Sequence, residues 1–301
     1  MPNNEVDSLE GLGERISRFV LYLVLETAEK RLDTMKPAAT ILDFDRVYEI
    51  QTSFKGKSYE WIDVTDLRHT NGYCDFRALA VIRERLKGRK ARPIAFFGTG
   101  NYHYVTHVFL SDIEMPFTLV LFDHHTDLSE PPAPSITSCG AWVATSLQRL
   151  PLLRHVVIIG ADPDFARTIP SRFRSKVSLF PEGGPDWQDL RVKRAIISAI
   201  PTPGVYISID KDVLRKPDAI TDWDQGSMKL EQLLDLVKNI MMHKDVRGLD
   251  IGGEYPLSLA RDFGRCLEAA RVNERANRRI LTVALRGKRG GAAPSSPSVS
   301  A

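Results

Sequence analysis

Residues 117–122, Phe-Thr-Leu-Val-Leu-Phe, pass directly into Asp123-His124-His125-Thr126-Asp127. A run this apolar reads as a strand buried on both faces, as in a parallel sheet covered by helices. It ends in five residues, four of them potential metal ligands, so it constrains fold and chemistry together. Clustered carboxylates repel one another, and a divalent cation reverses that penalty. Residues 204–209, Gly-Val-Tyr-Ile-Ser-Ile, form a second apolar run and end in Asp210-Lys211-Asp212. Side chains alternate along an extended chain, so Asp210 and Asp212 can aim at one point, as can Asp123, His125 and Asp127. A third run, residues 93–97, enters Gly98-Thr99-Gly100-Asn101-Tyr102-His103. Its glycines permit a tight turn that presents His103.

These six residues, His103, Asp123, His125, Asp127, Asp210 and Asp212, comprise four carboxylates and two imidazoles. The set suits two divalent ions better than one. It is hard, oxygen-rich and free of thiolate, which favours manganese over zinc, iron(II) or cobalt, and those over magnesium.

From residue 93 onward, apolar runs alternate with amphipathic segments. Strands are expected at 93–98, 117–123, 155–160, 177–180, 204–210, 246–251 and 279–285. Helices are expected near 103–111, 139–149, 188–199, 228–242 and 257–275. Two earlier strands, 39–44 and 59–64, precede a helix over 76–87, and the spacing predicts a long helix over 8–33. The rhythm implies a three-layer α/β/α domain with a mostly parallel central sheet, occupying residues 1–286. Residues 287–301 read as a low-complexity, disordered tail. In such sheets ligands bind beyond the carboxyl ends of the strands, where all six candidate ligands fall.

Composition narrows the function classes. The 301-residue chain is 43% hydrophobic, enough for a large core, and its formal net charge of +3 makes no case for nucleic acid or membrane binding. Three widely spaced cysteines, Cys74, Cys139 and Cys266, form no disulfide framework or zinc-finger spacing, as expected of a cytoplasmic protein. No signal peptide is indicated.

Taken in order, Gly100-Asn101-Tyr102-His103-Tyr104, Asp123-His124-His125-Thr126-Asp127 and Ser208-Ile209-Asp210-Lys211-Asp212 resemble the motifs of the arginase/agmatinase (ureohydrolase) superfamily. Those motifs are Gly-Gly-Asp-His-Ser, Asp-Ala-His-x-Asp and Ser-x-Asp-x-Asp. The second and third match well, and the first matches only in its Gly and His. The resemblance covers roughly residues 90–285 and is that of a divergent arginase-like member. It implies that His103, Asp123, Asp127 and Asp210 hold one metal and that His125, Asp123, Asp210 and Asp212 hold the other. Asp127 would be both ligand and catalytic base, in hydrolysis of a non-peptide C–N bond at a binuclear manganese centre.

The departures bear on the substrate. Arginases carry Ser-Gly-Asn-x-His after the second motif, where this chain has Ser138-Cys139-Gly140-Ala141-Trp142. The head-group Asn and the shuttle His thus give way to Gly140 and Trp142. The indole is expected to close the head-group space or to stack on a different substrate. After the last strand the family's Asp-Ile-x-Glu-x-x-Pro becomes Asp250-Ile251-Gly252-Gly253-Glu254-Tyr255-Pro256. Its glutamate is displaced by one residue, and Glu254 is the candidate for cation recognition. Asp162, after the 155–160 strand, is a substrate contact or part of a helix start. Asp224, with Asp222 and Trp223, lines the pocket or sits in a solvated loop with a helix cap.

The expected substrate is a small-molecule or peptide-borne guanidino or amide group other than free arginine, with no nucleic acid or membrane partner. The formation of a homo-oligomer is left open. The alternatives are an amidohydrolase or deacetylase on the same fold, and a non-catalytic metal-binding or regulatory protein.

Overall fold

The computed structural model describes residues 37–287, except Lys57, Arg92, Thr168, Pro185 and residues 258–261. The helix expected over 8–33 and residues 288–301 of the expected tail lie outside the described residues.

Chain order begins with β1 (Ala39–Asp43), β2 (Tyr59–Asp63), β3 (Tyr73–Asp75) and α1 (Phe76–Leu86). Next come β4 (Ile94–Phe96), a 3-10 segment at Gly100–Val105, and α2 (Thr106–Ser111). Then follow β5 (Phe117–Phe122), β6 (Ile136–Ser138), α3 (Trp142–Arg149), β7 (Leu153–Ile159), α4 (Pro163–Arg167) and β8 (Val177–Phe180). The chain closes with α5 (Leu190–Ser198), β9 (Gly204–Asp210), α6 (Leu230–His243), β10 (Asp245–Gly252) and α7 (Phe263–Gly287).

Eight strands form one sheet in the order β2-β1-β4-β10-β9-β5-β7-β8. Every pairing in it is parallel. β3 and β6 make a separate antiparallel pair. The period of two sorts strand side chains between two cores. Val120, Phe122, Val157, Ile159, Val205, Ile207 and Ile209 face one layer, with Ile196, Leu233, Val237 and Ile280 from α5, α6 and α7. Leu119, Leu121, Val156 and Ile158 face the other, with Leu79 and Ile82 of α1, Val108 and Phe109 of α2, and Val143 of α3. Burial on both faces explains why β5 and β9 carry apolar residues on both faces rather than on alternate positions only. This is the three-layer α/β/α architecture expected from the rhythm of the sequence.

One expected element is of the wrong type. Residues 279–285 are the last turns of α7, not a strand. The run Ile-Leu-Thr-Val-Ala-Leu is β-prone in isolation. Its buried members, however, continue a helical stripe through Cys266, Ala269, Ala270, Asn273, Ala276, Asn277, Ile280 and Ala284. Gly287, assigned to the tail, ends this helix. Among the described residues, no helix is long and apolar enough to cross a membrane.

The central strands β4, β10, β9 and β5 are neighbours. Their carboxyl ends lead into residues 97–103, 253–254, 211–212 and 123–127 respectively. The chain order reverses across these strands, so parallel topology alone opens a crevice there.

Candidate metal centre

All six candidate ligands converge in that crevice. His103 Nδ1 lies 3.3 Å from Asp123 Oδ2, 3.4 Å from Asp127 Oδ2 and 3.6 Å from Asp210 Oδ2. His125 Nδ1 lies 2.9 Å from Asp212 Oδ2 and 3.4 Å from Asp123 Oδ1. Two groups of potential ligand atoms result: His103, Asp123 and Asp210 in one, and Asp123, His125 and Asp212 in the other. Within each, the atoms lie within 4.8 Å of one another, and Asp123 serves both with its two oxygens.

The backbone holds these carboxylates in place. The amide of His125 donates to Asp123 Oδ1 at 2.7 Å, that of His124 to Asp212 Oδ1 at 3.0 Å, and that of Asp212 to Asp210 Oδ1 at 2.9 Å. Asp127 takes a left-handed φ of 52°. Its carbonyl accepts from the amides of Val143 and Ala144 in the first turn of α3. The strained residue is thus fixed by a helix start, a setting in which strain marks function. Gly253, at φ 76°, is required sterically, because a β-carbon there would overlap the Asp210 carboxylate.

A buried relay orients His103. Ser208 Oγ donates to Asp250 Oδ1 at 2.6 Å, and so accepts from His103 Nε2 at 2.8 Å. Tyr206 donates to the other Asp250 oxygen at 3.0 Å. The relay puts the imidazole proton on Nε2 and leaves the Nδ1 lone pair facing the carboxylates, the tautomer a metal ligand needs. Burial pushes the Asp250 carboxyl up to about 6, opposed by His103 and the Ser208 hydroxyl.

The electrostatics of the cluster favour a bound cation. Burial and the Asp123 charge push Asp127 and Asp212 well above the usual carboxylate range, and raise Asp210 too. Burial opposes charge on both imidazoles, but the carboxylates outweigh it. His103 is raised to about 10 and His125 to about 12. Asp123, despite its burial, is held below the usual range by hydrogen bonds to both histidines. Without a metal the buried carboxylates are therefore balanced by protons, held on the histidines and on the carboxylates themselves, a role a divalent ion performs better. Neighbouring donors around a six-coordinate ion with ligand distances of about 2.1 Å are separated by about 3 Å, close to the spacings here. Residues and geometry fit a pair of divalent ions.

The cluster forms the floor of a cavity of about 290 Å³. Its lining includes Gly100, Thr126, Ser129, Cys139, Gly140, Phe165, Trp223 and Asp224. Of the substrate contacts expected from the sequence, Asp224 and its neighbour Trp223 are among the lining residues, and Trp142, Asp162 and Glu254 are not. Trp142 is fully buried behind the wall, with its ring 4.7 Å from that of His103 and its Nε1 donating to Asp127 Oδ2 at 2.5 Å. It contacts a candidate ligand instead of substrate. Asp162 begins α4, where its Oδ1 accepts from the amide of Asp164 at 2.7 Å. Glu254 is buried just beyond the end of β10 and is not part of the cavity wall. It accepts from Lys211 Nζ at 2.8 Å, Gln51 Nε2 at 2.9 Å and Asn277 Nδ2 at 2.7 Å. A cation and two amides of the chain itself already occupy it. Its expected place at the pocket is thus corrected. Gly252 ends β10 packed against the Phe97 ring, and Gly253 turns the chain at φ 76° before the displaced glutamate.

Phe165 and Ser129 line the cavity without a signal in the sequence, because neutral wall residues belong to no ligand pattern. Asp250 left a readable signal, an aspartate between Leu249 and Ile251 in an apolar strand, which must be satisfied internally.

No family model matches the chain. An uncharacterized protein of Thermotoga maritima is 29% identical over 238 residues, covering 79% of this chain and 87% of that one. Formimidoylglutamase of Bacillus subtilis superposes with a TM-score of 0.58 at 16% identity, over 85% of this chain and 88% of that one. Trypanosoma cruzi formiminoglutamase, solved with Mn2+, gives 0.56 at 11% identity, over 83% and 95%. Agmatinase and arginase structures match as well. The fold is the one these agmatinase, arginase and formimidoylglutamase structures share, at sequence identities of 11% to 18%.

Proposed function

We propose that the protein is a dinuclear-metal hydrolase that cleaves a non-peptide C–N bond, in a guanidino or related group on a substrate other than free arginine. The observation that carries this reading is the sharing of Asp123 between two ligand groups on the carboxyl ends of β4, β5 and β9. His103, Asp123, Asp127 and Asp210 would hold one ion, and His125, Asp123, Asp210 and Asp212 the other. Manganese is the metal favoured by the oxygen-rich donor set, and it is the metal bound in the Trypanosoma cruzi enzyme.

Two bound divalent ions supply Lewis acidity and an activated water at neutral pH. The chain's own residues do the rest. Asp127, with one oxygen fixed by the Trp142 indole, takes a proton from the attacking water and delivers it to the leaving nitrogen. The water oxygen joins the carbon, the C–N bond breaks, and nitrogen departs as the amine. Ser208 and Asp250 hold His103 in the ligand tautomer throughout. The enclosed floor of the cavity limits bulk water around the reacting atoms.

A release assay for urea, ammonia and acetate tests this on manganese-loaded protein, over guanidino, ureido and acylated amines. Urea or ammonia from a guanidino or amidino compound is the expected result. Acetate alone would replace the reading with a deacetylase, and no product from any of them would remove catalysis from the account.

A further inference from the structure

Phe165 and Trp223 stand at the mouth of the cavity and come from different elements. Phe165 lies in α4 beyond β7, and Trp223 in the loop after β9. Both rings flank His125. Phe165 lies 5.1 Å from it and Trp223 5.7 Å, the latter edge to face. They are 37% and 44% exposed. Large exposed aromatics beside a cavity are a binding feature when they are held still, since rigid rings bury area at little entropic cost.

Trp223 is held still. Its Nε1 donates to Asn101 Oδ1 at 3.0 Å, and Asn101 Nδ2 donates to Asn71 Oδ1 at 2.7 Å. The Thr221 hydroxyl donates to the Trp223 carbonyl at 3.2 Å. Gln225 Nε2 ties the loop to the carbonyls of Leu214 and Ala219, each at 3.0 Å. The amide of Gly226 donates to the Asp212 carbonyl at 2.7 Å. Gly100 leaves room for the ring, since a β-carbon there would stand 3.1 Å from Trp223 Cδ1 and 3.0 Å from Asp210 Oδ2. The indole is thus fixed to the same backbone that carries the candidate ligands.

The charge of the cavity adds a second constraint. Among the described lining residues, the carboxylates are Asp123, Asp127, Asp210, Asp212 and Asp224, and no lysine or arginine is present. An arm ending in a carboxylate meets no lysine or arginine there, and at the mouth it meets the Asp224 carboxylate. The wall between floor and mouth, Gly100, Ser129, Cys139 and Gly140, is small and neutral.

We infer that Phe165 and Trp223 form an aromatic clamp. It selects a substrate whose arm beyond the reacting carbon is flat and apolar, such as an arylalkyl group, and carries no carboxylate. The inference rests on the hydrolase reading above, in that the reacting group is placed at the cluster and the arm at the mouth. The two rings are specificity-determining residues and take no part in the bond changes.

Calorimetric titration of the manganese-loaded full chain with benzylguanidine, propylguanidine and guanidinobutyrate tests the clamp. Benzylguanidine should bind about tenfold more tightly than propylguanidine, as expected when aromatic stacking is added to area burial, and guanidinobutyrate should bind weakest. Phe165→Ala and Trp223→Ala should each erase most of the benzyl preference with bound manganese per chain unchanged, while Trp223→Phe should keep part of it. Equal affinity for the three compounds, or a preference untouched by both alanine variants, would overturn the clamp. A benzyl preference without urea from any compound would uphold the clamp and remove the hydrolase reading. Urea release with no preference among the arms would remove the clamp alone.

Discussion

The Lys211 ammonium lies 2.8 Å from a Glu254 carboxylate oxygen, with the two side chains 0% and 2% exposed. This pair sits immediately behind the candidate ligands Asp210 and Asp212, and Lys211 also donates to the Gly252 carbonyl at 2.5 Å. It joins the end of β9 to the end of β10, and through Gln51 and Asn277 to the loop after β1 and to α7. Removing one member of a buried pair strands the other charge, which costs about 3–5 kcal/mol. Lys211→Met should therefore lose that much in denaturant unfolding, and the double variant Lys211→Met with Glu254→Leu should recover most of it. A Lys211→Met chain as stable as the native one would show that the pair carries no such weight.

Trp142 should act on turnover through Asp127. Trp142→Phe keeps a ring against His103 but loses the indole donor. A hydrogen bond to a charged group contributes about 1.5–3 kcal/mol, so kcat on an accepted substrate should fall about 10- to 100-fold. KM should stay nearly constant, because Trp142 is buried away from the cavity. A raised KM with unchanged kcat would instead put the indole in substrate binding.

Much of the centre was legible before folding was considered. The ligand pattern announces itself because a strand buried on both faces cannot end in Asp-x-His-x-Asp or Asp-x-Asp without compensation, and the alternation of strand side chains aims those residues together. The sheet was legible for the same reason, in apolar runs such as Phe117–Phe122. What stayed hidden depends on direction. Glu254 and Asp224 both follow strands and both carry carboxylates, yet Lys211, Gln51 and Asn277 take up the first in the interior and Gly226 anchors the loop of the second beside the cavity. Residues 279–285 mislead because β-propensity in a short window competes with a helical stripe that shows only over the whole of α7.

Ser208 should govern metal affinity without being a ligand. Ser208→Ala removes the acceptor that fixes the proton on His103 Nε2, and loss of such an outer partner typically weakens a site about 10- to 100-fold. Calorimetric titration with manganese should show one site weakened to that extent and the other retained. Identical binding at both sites would remove the relay from the account.

His107 sets a pH dependence of stability. It is buried, and its Nδ1 donates at 3.0 Å to Ser146 Oγ, which itself donates to the Trp142 carbonyl. Burial, with Arg83 and Arg149 nearby, pulls its pKa down to about 4 from 6.5. Between those values the unfolded chain binds the extra proton and the folded chain does not. The contribution is thus complete above pH 6.5 and is lost as the pH falls toward 4, by about 3 kcal/mol in all at about 1.4 kcal/mol per unit. His107→Gln should flatten the fall of unfolding free energy across that window. A slope as steep as that of the native chain would show that His107 is not its source.

The central claim is that this cluster holds two divalent ions sharing carboxylates. Elemental analysis of the manganese-loaded full chain, beside Asp210→Ala, tests it most directly. The account predicts two ions per native chain and loss of the pair in the variant. A native chain holding one ion or none, or a variant with undiminished metal, would contradict it.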